Sequence, residues 1–295
     1  MGLAKNYFDN PFSLGNQMTQ DKTITKKSKS NFYYAFSVLP REKREAIYTL
    51  YSFCRQTDDI ADGNASAGRK QKTLDYWENE LFRQFNYHSH TRFDKVWKIA
   101  QKFRIPLEYF LELINGVRMD LVQSRFHSIE DLMNYCYRVA SVVGLMSIQI
   151  FGYRDERVKE YAVNLGIALQ LTNIMRDVGT DADMGRVYLP LEDLEKFGVT
   201  ELDIIRKKHS DSFFQLMNYQ YQRAQTFYQQ AAAALPTSER RNMIPSQIMK
   251  NIYHHLLQLM EHRHFPVLQQ KVEIPNLVQI SIAFKTILTE AVLSI

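Results

Sequence analysis

The chain has only two cysteines in 295 residues, Cys54 and Cys136, and each falls inside an apolar helical pattern. They read as buried thiols of a reducing compartment, and neither has the setting of a nucleophile or a metal ligand. The first thirty residues lack an apolar stretch, so no signal peptide is expected, and position 6 is Asn where a myristoylation motif needs Ser or Thr. Long apolar runs are missing as well. The greasiest stretch, 277–295, is interrupted by Gln279, Lys285 and Glu290, which argues against a spanning helix while leaving a surface-lying one open. Alternating strand-like runs and Asn-Gly hairpin signals are absent, as are a Walker loop, a dinucleotide fingerprint, zinc spacing and any internal repeat.

What is there is helical. With 45% hydrophobic and 13% aromatic residues the chain can bury a large core. From Asn31 onward apolar residues recur at three- and four-residue spacing. Helix breaks are expected at Pro40, Gly63 to Gly68, near Pro106, near Gly152, through Gly179 to Pro190, at Gly198, near Pro236 to Pro245, and at Pro266 to Pro275. The expectation is an all-α fold, with a flexible basic segment over 1–29 and one helical domain over 30–295. The net charge of +5 is spread along the chain, with a local cluster at Lys22, Lys26, Lys27 and Lys29. Nucleic acid is not expected; anionic phosphates or an anionic membrane surface suit this charge.

Two acidic stretches carry the functional signal: Asp58-Asp59-Ile60-Ala61-Asp62 and Asp177-Val178-Gly179-Thr180-Asp181. Each places two aspartates four residues apart, on one helix face. Ile47, Leu50, Tyr51 and Cys54 form an apolar stripe that Asp58 and Asp62 continue, so both carboxylates are predicted to point inward. Charge on a core face needs a partner, either a divalent cation or Arg55 one turn before. The second helix carries a polar seam, Gly166, Gln170, Asn173, Asp177 and Asp181, cut through leucines and Ile174. Arg176 beside it offers a positive fork suited to diphosphate. Paired carboxylates of this kind are hard oxygen ligands, and Mg²⁺ carrying a phosphorylated substrate is their natural occupant.

Rival metal readings fail on ligand type: a di-iron bundle needs Glu and Glu-x-x-His pairs, and an EF-hand needs alternating oxygens with a closing Glu. Gly144 and Gly166, each mid-helix at a cost of about 1 kcal/mol relative to Ala, are expected where helices or a ligand approach closely. Abundant aromatics nearby suit core packing, and ring faces would also shelter a carbocation.

The segments Ser30-Asn-Phe-Tyr-Tyr-Ala-Phe with Leu39-Pro40, Tyr51-Ser-Phe-Cys-Arg-Gln-Thr-Asp-Asp-Ile-Ala-Asp62, Gln170-Leu-Thr-Asn-Ile-Met-Arg-Asp177 and Gly185-Arg-Val-Tyr-Leu-Pro190 resemble the signatures of the squalene/phytoene synthases. The resemblance runs from about Ser28 to the Pro245 region, with Tyr135-Cys-Tyr-Arg-Val-Ala and Gly144 similar to the family's central helix. It implies an isoprenoid-synthase-type bundle around a deep central cavity. Asp58, Asp62, Asp177 and Asp181 would hold Mg²⁺, with Asp59 in support and Asn173 as a further ligand. Arg55, Arg176, Arg186 and Tyr188 would contact diphosphate, and Ser30, Phe32, Tyr51, Tyr135, Gln170 and Tyr253 would line the cavity. The second motif lacks the acid that the family often carries between its two aspartates, and Asp183 is expected to compensate.

The tail from Ala231 through Phe265-Pro-Val-Leu268 is most similar to the presqualene diphosphate synthase branch associated with hopanoids. The expected activity is thus Mg²⁺-dependent joining of two farnesyl diphosphates to presqualene diphosphate. The alternatives are a phytoene or dehydrosqualene synthase, a squalene synthase and, remotely, a non-enzymatic assembly factor. Prenyl diphosphates and downstream isoprenoid-pathway enzymes are the expected partners of a cytoplasmic protein in loose contact with the membrane.

Overall fold

The computed structural model describes residues 32–293, with side chains from 34 to 290. The expected all-α architecture is observed: among the described residues the sole strand-like pairing is an isolated bridge between Arg125 and Val187. Among the described residues thirteen α-helices run α1 (Phe32–Ser37), α2 (Arg41–Asp62), α3 (Ala67–Tyr87), α4 (Asp94–Phe103), α5 (Leu107–Val122), α6 (Ile129–Cys136), α7 (Val142–Phe151), α8 (Arg157–Asp183), α9 (Leu191–Phe197), α10 (Glu201–Ile205), α11 (Asp211–Ala234), α12 (Ile244–His262) and α13 (Asn276–Leu293). A π-helical turn, Tyr137–Ser141, joins α6 to α7.

Local chemistry sets these boundaries. Ser128 and Asp131 close a reciprocal capping box at the start of α6, and Thr200 with Asp203 does the same for α10. Ser210 accepts from the Phe213 amide at the start of α11. Prolines sit just before α2, α5 and α9, where a missing amide costs nothing. Two helices stop on left-handed residues other than glycine: α3 and α4 end on His88 and Arg104, whose φ angles are 52° and 55°. The break expected through Gly179 to Pro190 begins later than Gly179, because α8 continues to Asp183 before the chain turns at Gly185.

With 27 residues, α8 is about 40 Å long and runs through the centre of the bundle, packed by α6, α7, the π-helical turn, α10, α11 and α12. Its interior residues Leu165, Ala168, Leu171, Ile174 and Met175 are buried. The expected close approach at Gly166 is present: a Cβ there would lie 2.5 Å from the Ser141 Cα, so only glycine lets the π-helical turn lie against α8. A Cβ at Gly144 would likewise meet the Ala162 carbonyl at 2.9 Å. Both cysteines are buried and free, as expected, and burial pushes both thiols up, away from reactivity. No helix among the described residues is long and apolar enough to cross a membrane.

Candidate active site

A cavity of about 700 Å³ lies between α2, the π-helical turn, α7, α8, α12 and the segment leading into α13. Its lining is graded. Arg55, Asp58, Gln170, Asn173, Arg176 and Lys271 stand at one end, and Phe151, Leu165, Met249 and Leu256 represent the apolar remainder. Tyr51 and Tyr253 also line it. Tyr253 is buried, and its hydroxyl oxygen accepts a hydrogen bond from Arg176, which helps fix the guanidinium at the polar end. Ser30 and the side chain of Phe32 lie outside the described residues.

The α2 stripe delivers its first aspartate inward. Burial pushes the Asp58 carboxyl up to about 7, and the charges of Asp62, Asp120 and Asp59 add to this while Arg55 opposes it. Asp62 departs from expectation. Its side chain is 52% exposed and meets Arg186 instead of the interior, while Ala61 beside it stays buried in the core. Asp59 pairs with Arg55 at 3.0 Å on the half-exposed outer side, so Arg55 is shared between an ion pair and the cavity wall.

On α8 the polar seam is realised. Asn173 Nδ2 donates to Gln170 Oε1 at 3.5 Å, while Asn173 Oδ1 is buried without a hydrogen-bond partner. Burial alone would raise Asp177, but Arg176 and Lys271 hold it below the ordinary carboxylate range, with Arg176 Nε 2.9 Å and Lys271 Nζ 3.2 Å from its Oδ1. Asp181 behaves oppositely: burial and the Asp177 charge push it up to about 7. Asp183 does not supply a missing acid, because its carboxylate is tied at 2.8 Å to Lys207, and Thr180 is exposed with its hydroxyl turned back to the Asp177 carbonyl.

Two residues that the sequence reading missed complete the site. Asp120, on α5, accepts hydrogen bonds from Tyr135 at 3.0 Å and Tyr188 at 2.9 Å. Burial raises it to about 6 despite these donors, and its charge reaches Asp58, Asp181 and Asp62, so it stands between the two motifs. Tyr135 therefore does not line the cavity as expected; it stacks on Tyr188 at 5.6 Å and braces Asp120 from behind. Asp120 follows Leu113 and Val117 at helical spacing, the same continuation of an apolar stripe that marks Asp58. Lys271 has no periodic signal. It is presented by the turn Pro266–Leu268, which rests directly on Gly179, where a Cβ would meet the Val267 carbonyl at 2.6 Å.

The loop after α8 closes the other side. Val187 N donates to the Ser124 carbonyl at 3.2 Å and Arg125 Nη1 to that of Gly185 at 2.8 Å, which holds Arg186 against Asp62 at 3.0 Å.

Raised carboxyls at Asp58 and Asp181, an orphaned amide oxygen at Asn173 and flanking cations fit hard divalent cations with a bound diphosphate. Among the described residues no three His, Cys, Asp or Glu side chains converge closely enough to hold an ion by themselves. An ion held here would therefore need substrate phosphates and water to complete its shell, as Mg²⁺ commonly does.

Comparison with known proteins agrees with this geometry. A profile of the squalene/phytoene synthase family matches residues 25–278. The phytoene synthase of Arthrospira platensis is 36% identical over 269 residues, covering 86% of this chain and 87% of its own. A dehydrosqualene synthase solved with a ligand superposes with a TM-score of 0.83 at 28% identity, over 93% of this chain and 96% of the other. The squalene synthase HpnC from Alicyclobacillus acidocaldarius gives 0.73 at 28% identity, over 85% and 97%. The isoprenoid-synthase-type helical fold and the matched motifs together place this chain in the squalene/phytoene synthase family.

Proposed function

We propose that the protein is a prenyltransferase that joins two prenyl diphosphates head to head with release of diphosphate. The observation that carries this reading is the graded cavity: two aspartate-bearing helix ends and four cations meet at or beside one end of a 700 Å³ apolar chamber. Asp58, Asp62, Asp177, Asp181 and Asn173 would hold Mg²⁺, with Asp59 in support. When bound, Mg²⁺ supplies neutralisation of charge on the departing diphosphate.

The chain's own groups do the rest. Arg55, Arg176, Arg186 and Lys271 take up the diphosphate and stabilise the charge that grows as the C1–O bond ionises. Phe36, Tyr51, Phe151, Tyr161 and Tyr253 line the chamber, where their ring faces favour an allylic cation and the apolar walls exclude water. The double bond of the second chain attacks that cation, and loss of a proton closes a cyclopropane. Among the described residues no histidine lines the chamber, and the released diphosphate would serve as the base.

The relatives named phytoene synthase and the neighbour named dehydrosqualene synthase support a reaction that continues past the cyclopropyl diphosphate to a linear polyene. This takes precedence over presqualene diphosphate as the end product, the reading drawn from the tail. That reading stays as the second one and rests on the resemblance of the tail from Ala231 to Leu268 alone. Incubation with geranylgeranyl or farnesyl diphosphate and Mg²⁺, followed by mass spectrometry, separates them. A C40 or C30 hydrocarbon supports the first, a cyclopropyl diphosphate the second, and no diphosphate release with either substrate refutes both.

A further inference from the structure

The chamber has a far end as well as a charged one. On α8 the lining residues run from Arg176 and Asn173 at the charged end through Leu169 and Leu165 to Ala162 and Tyr161, the last of the series. Asn173 is the deepest of the groups assigned above to the metal, and the twelve residues from it to Tyr161 amount on a helix to about 18 Å. α12 agrees on the direction: its Tyr253 meets Arg176, while its Ser246, two turns earlier, meets Tyr161. Tyr161 is fully buried, and its hydroxyl donates to Ser246 Oγ at 2.9 Å, which in turn donates to the Met243 carbonyl at 2.8 Å. Behind this pair the Glu290 carboxylate of α13, gripped by Arg240 at 2.6 and 2.8 Å, is near enough for its charge to act on the phenol. Gln247, next to Ser246 and equally enclosed, donates to the Arg240 carbonyl at 3.0 Å. The far end is therefore an aromatic ring set on a hydrogen-bonded base that joins α8, α12 and α13.

Such a ring cannot swing aside cheaply. Moving it would leave the buried Tyr161 hydroxyl without its acceptor and press the ring into close-packed neighbours. An extended chain advances about 1.2 Å per backbone bond, so an isoprene unit, with its four chain bonds, spans about 5 Å. Four units laid along α8 from Asn173 then reach the Tyr161 ring, three stop short of it, and a fifth would have to displace it. We propose that Tyr161, tied to Ser246, is the residue that sets the upper limit of prenyl chain length, admitting four isoprene units along α8 and excluding a fifth. The assignment rests on the prenyl diphosphate reading given above and adds to it the side chain that selects among such substrates. Tyr161 itself touches neither the diphosphate end nor the reacting carbons, so its effect is on which chain is seated.

The test measures binding of unreactive thiolodiphosphate analogues of farnesyl, geranylgeranyl and geranylfarnesyl diphosphate to the full-length protein with Mg²⁺ by calorimetry, so it needs no turnover. The wild type should bind the C20 analogue at least as tightly as the C15 and the C25 analogue at least roughly tenfold more weakly than the C20. Y161A removes the ring, and its preference for C20 over C25 should disappear; Y161L, which keeps an apolar side chain there, gives the same readout should the larger deletion fail to fold by circular dichroism. L165F, one turn nearer the mouth, should act in the opposite sense and weaken C20 binding relative to C15. A folded Tyr161 variant that still rejects C25 as the wild type does would overturn the assignment while leaving the prenyl diphosphate reading intact. Wild-type binding of C25 as tight as that of C20 would overturn it too. A wild type that binds none of the three analogues would remove both.

Discussion

Arg186 donates from Nη1 to Asp62 Oδ1 at 3.0 Å, joining residues 124 positions apart in the chain. The loop that leaves the second acidic motif thereby holds the end of the first, and the half-exposed Asp62 gains a partner that the core does not provide. The two motifs are thus a single electrostatic unit before any substrate arrives, with Asp120 adding its field to both. Loss of Arg186 should be felt in the use of diphosphate more than in folding, since the ion pair itself is partly solvated and worth little. R186A should raise KM and lower kcat, while its thermal midpoint stays close to that of the wild type.

The aspartates can be tested one at a time. D58N and D177A each remove a carboxylate from the diphosphate end, and each should lower kcat by about 10²-fold or more, with helical content retained. Diphosphate release assayed beside far-ultraviolet circular dichroism checks this. Full turnover in either variant would remove that residue from the mechanism.

A pH dependence follows from Asp58 and Asp181, both pushed up to about 7 by burial. In the metal-free protein their folded values exceed the ordinary carboxylate value of about 4. Their contribution to stability is therefore complete below that ordinary value and is lost as the pH rises through about 7. D58N/D181N should gain thermal stability over the wild type as the pH goes from 5 to 8. Mg²⁺ should bind more tightly across the same range and release protons as it does so, which calorimetry in buffers of different ionisation enthalpy measures.

Asp120 is the acceptor for two tyrosine hydroxyls, and D120A leaves both without it. A cost of about 1–3 kcal/mol in unfolding free energy is expected. Y188F removes one of the two donors and should cost about 0.5–1.5 kcal/mol, with the Tyr135 bond surviving. Urea denaturation of the three proteins gives the comparison.

Gly179 carries the turn that presents Lys271. In G179A the new methyl would meet the Val267 and Leu268 carbonyls at 2.6 and 2.7 Å, both backbone atoms that cannot swing aside. Destabilisation by about 1–3 kcal/mol is expected, together with weaker diphosphate binding as Lys271 shifts. K271A should show the second effect without the first.

The helical face decided what could be read from sequence. Asp58, Gln170 and Asn173 were legible because an apolar stripe with a period near 3.6 fixes which way they point, and the structure puts all three on the cavity wall. Asp62 obeys the same period but turns outward to Arg186, a partner from a distant loop that periodicity does not reveal. Asp120 was within reach, since it continues the stripe of Leu113 and Val117; it stands alone, without the paired acids that draw attention to the other two helices. Lys271 was out of reach, because it lies in coil and its role depends on a turn resting against Gly179. The left-handed stop at His88 escaped for a similar reason, since no glycine or proline stands there, whereas the break at Arg104 was marked by Pro106 two residues on.

The central claim is that both acidic motifs serve one diphosphate-releasing centre, and single-turnover diphosphate release from a radiolabelled prenyl diphosphate with Mg²⁺ tests it most directly. The wild type should release diphosphate and yield a head-to-head coupled product, and D62A and D181A, one from each motif, should both be impaired at this step. Normal release in one of these variants would mean that the motifs do not act together, and the account would fail.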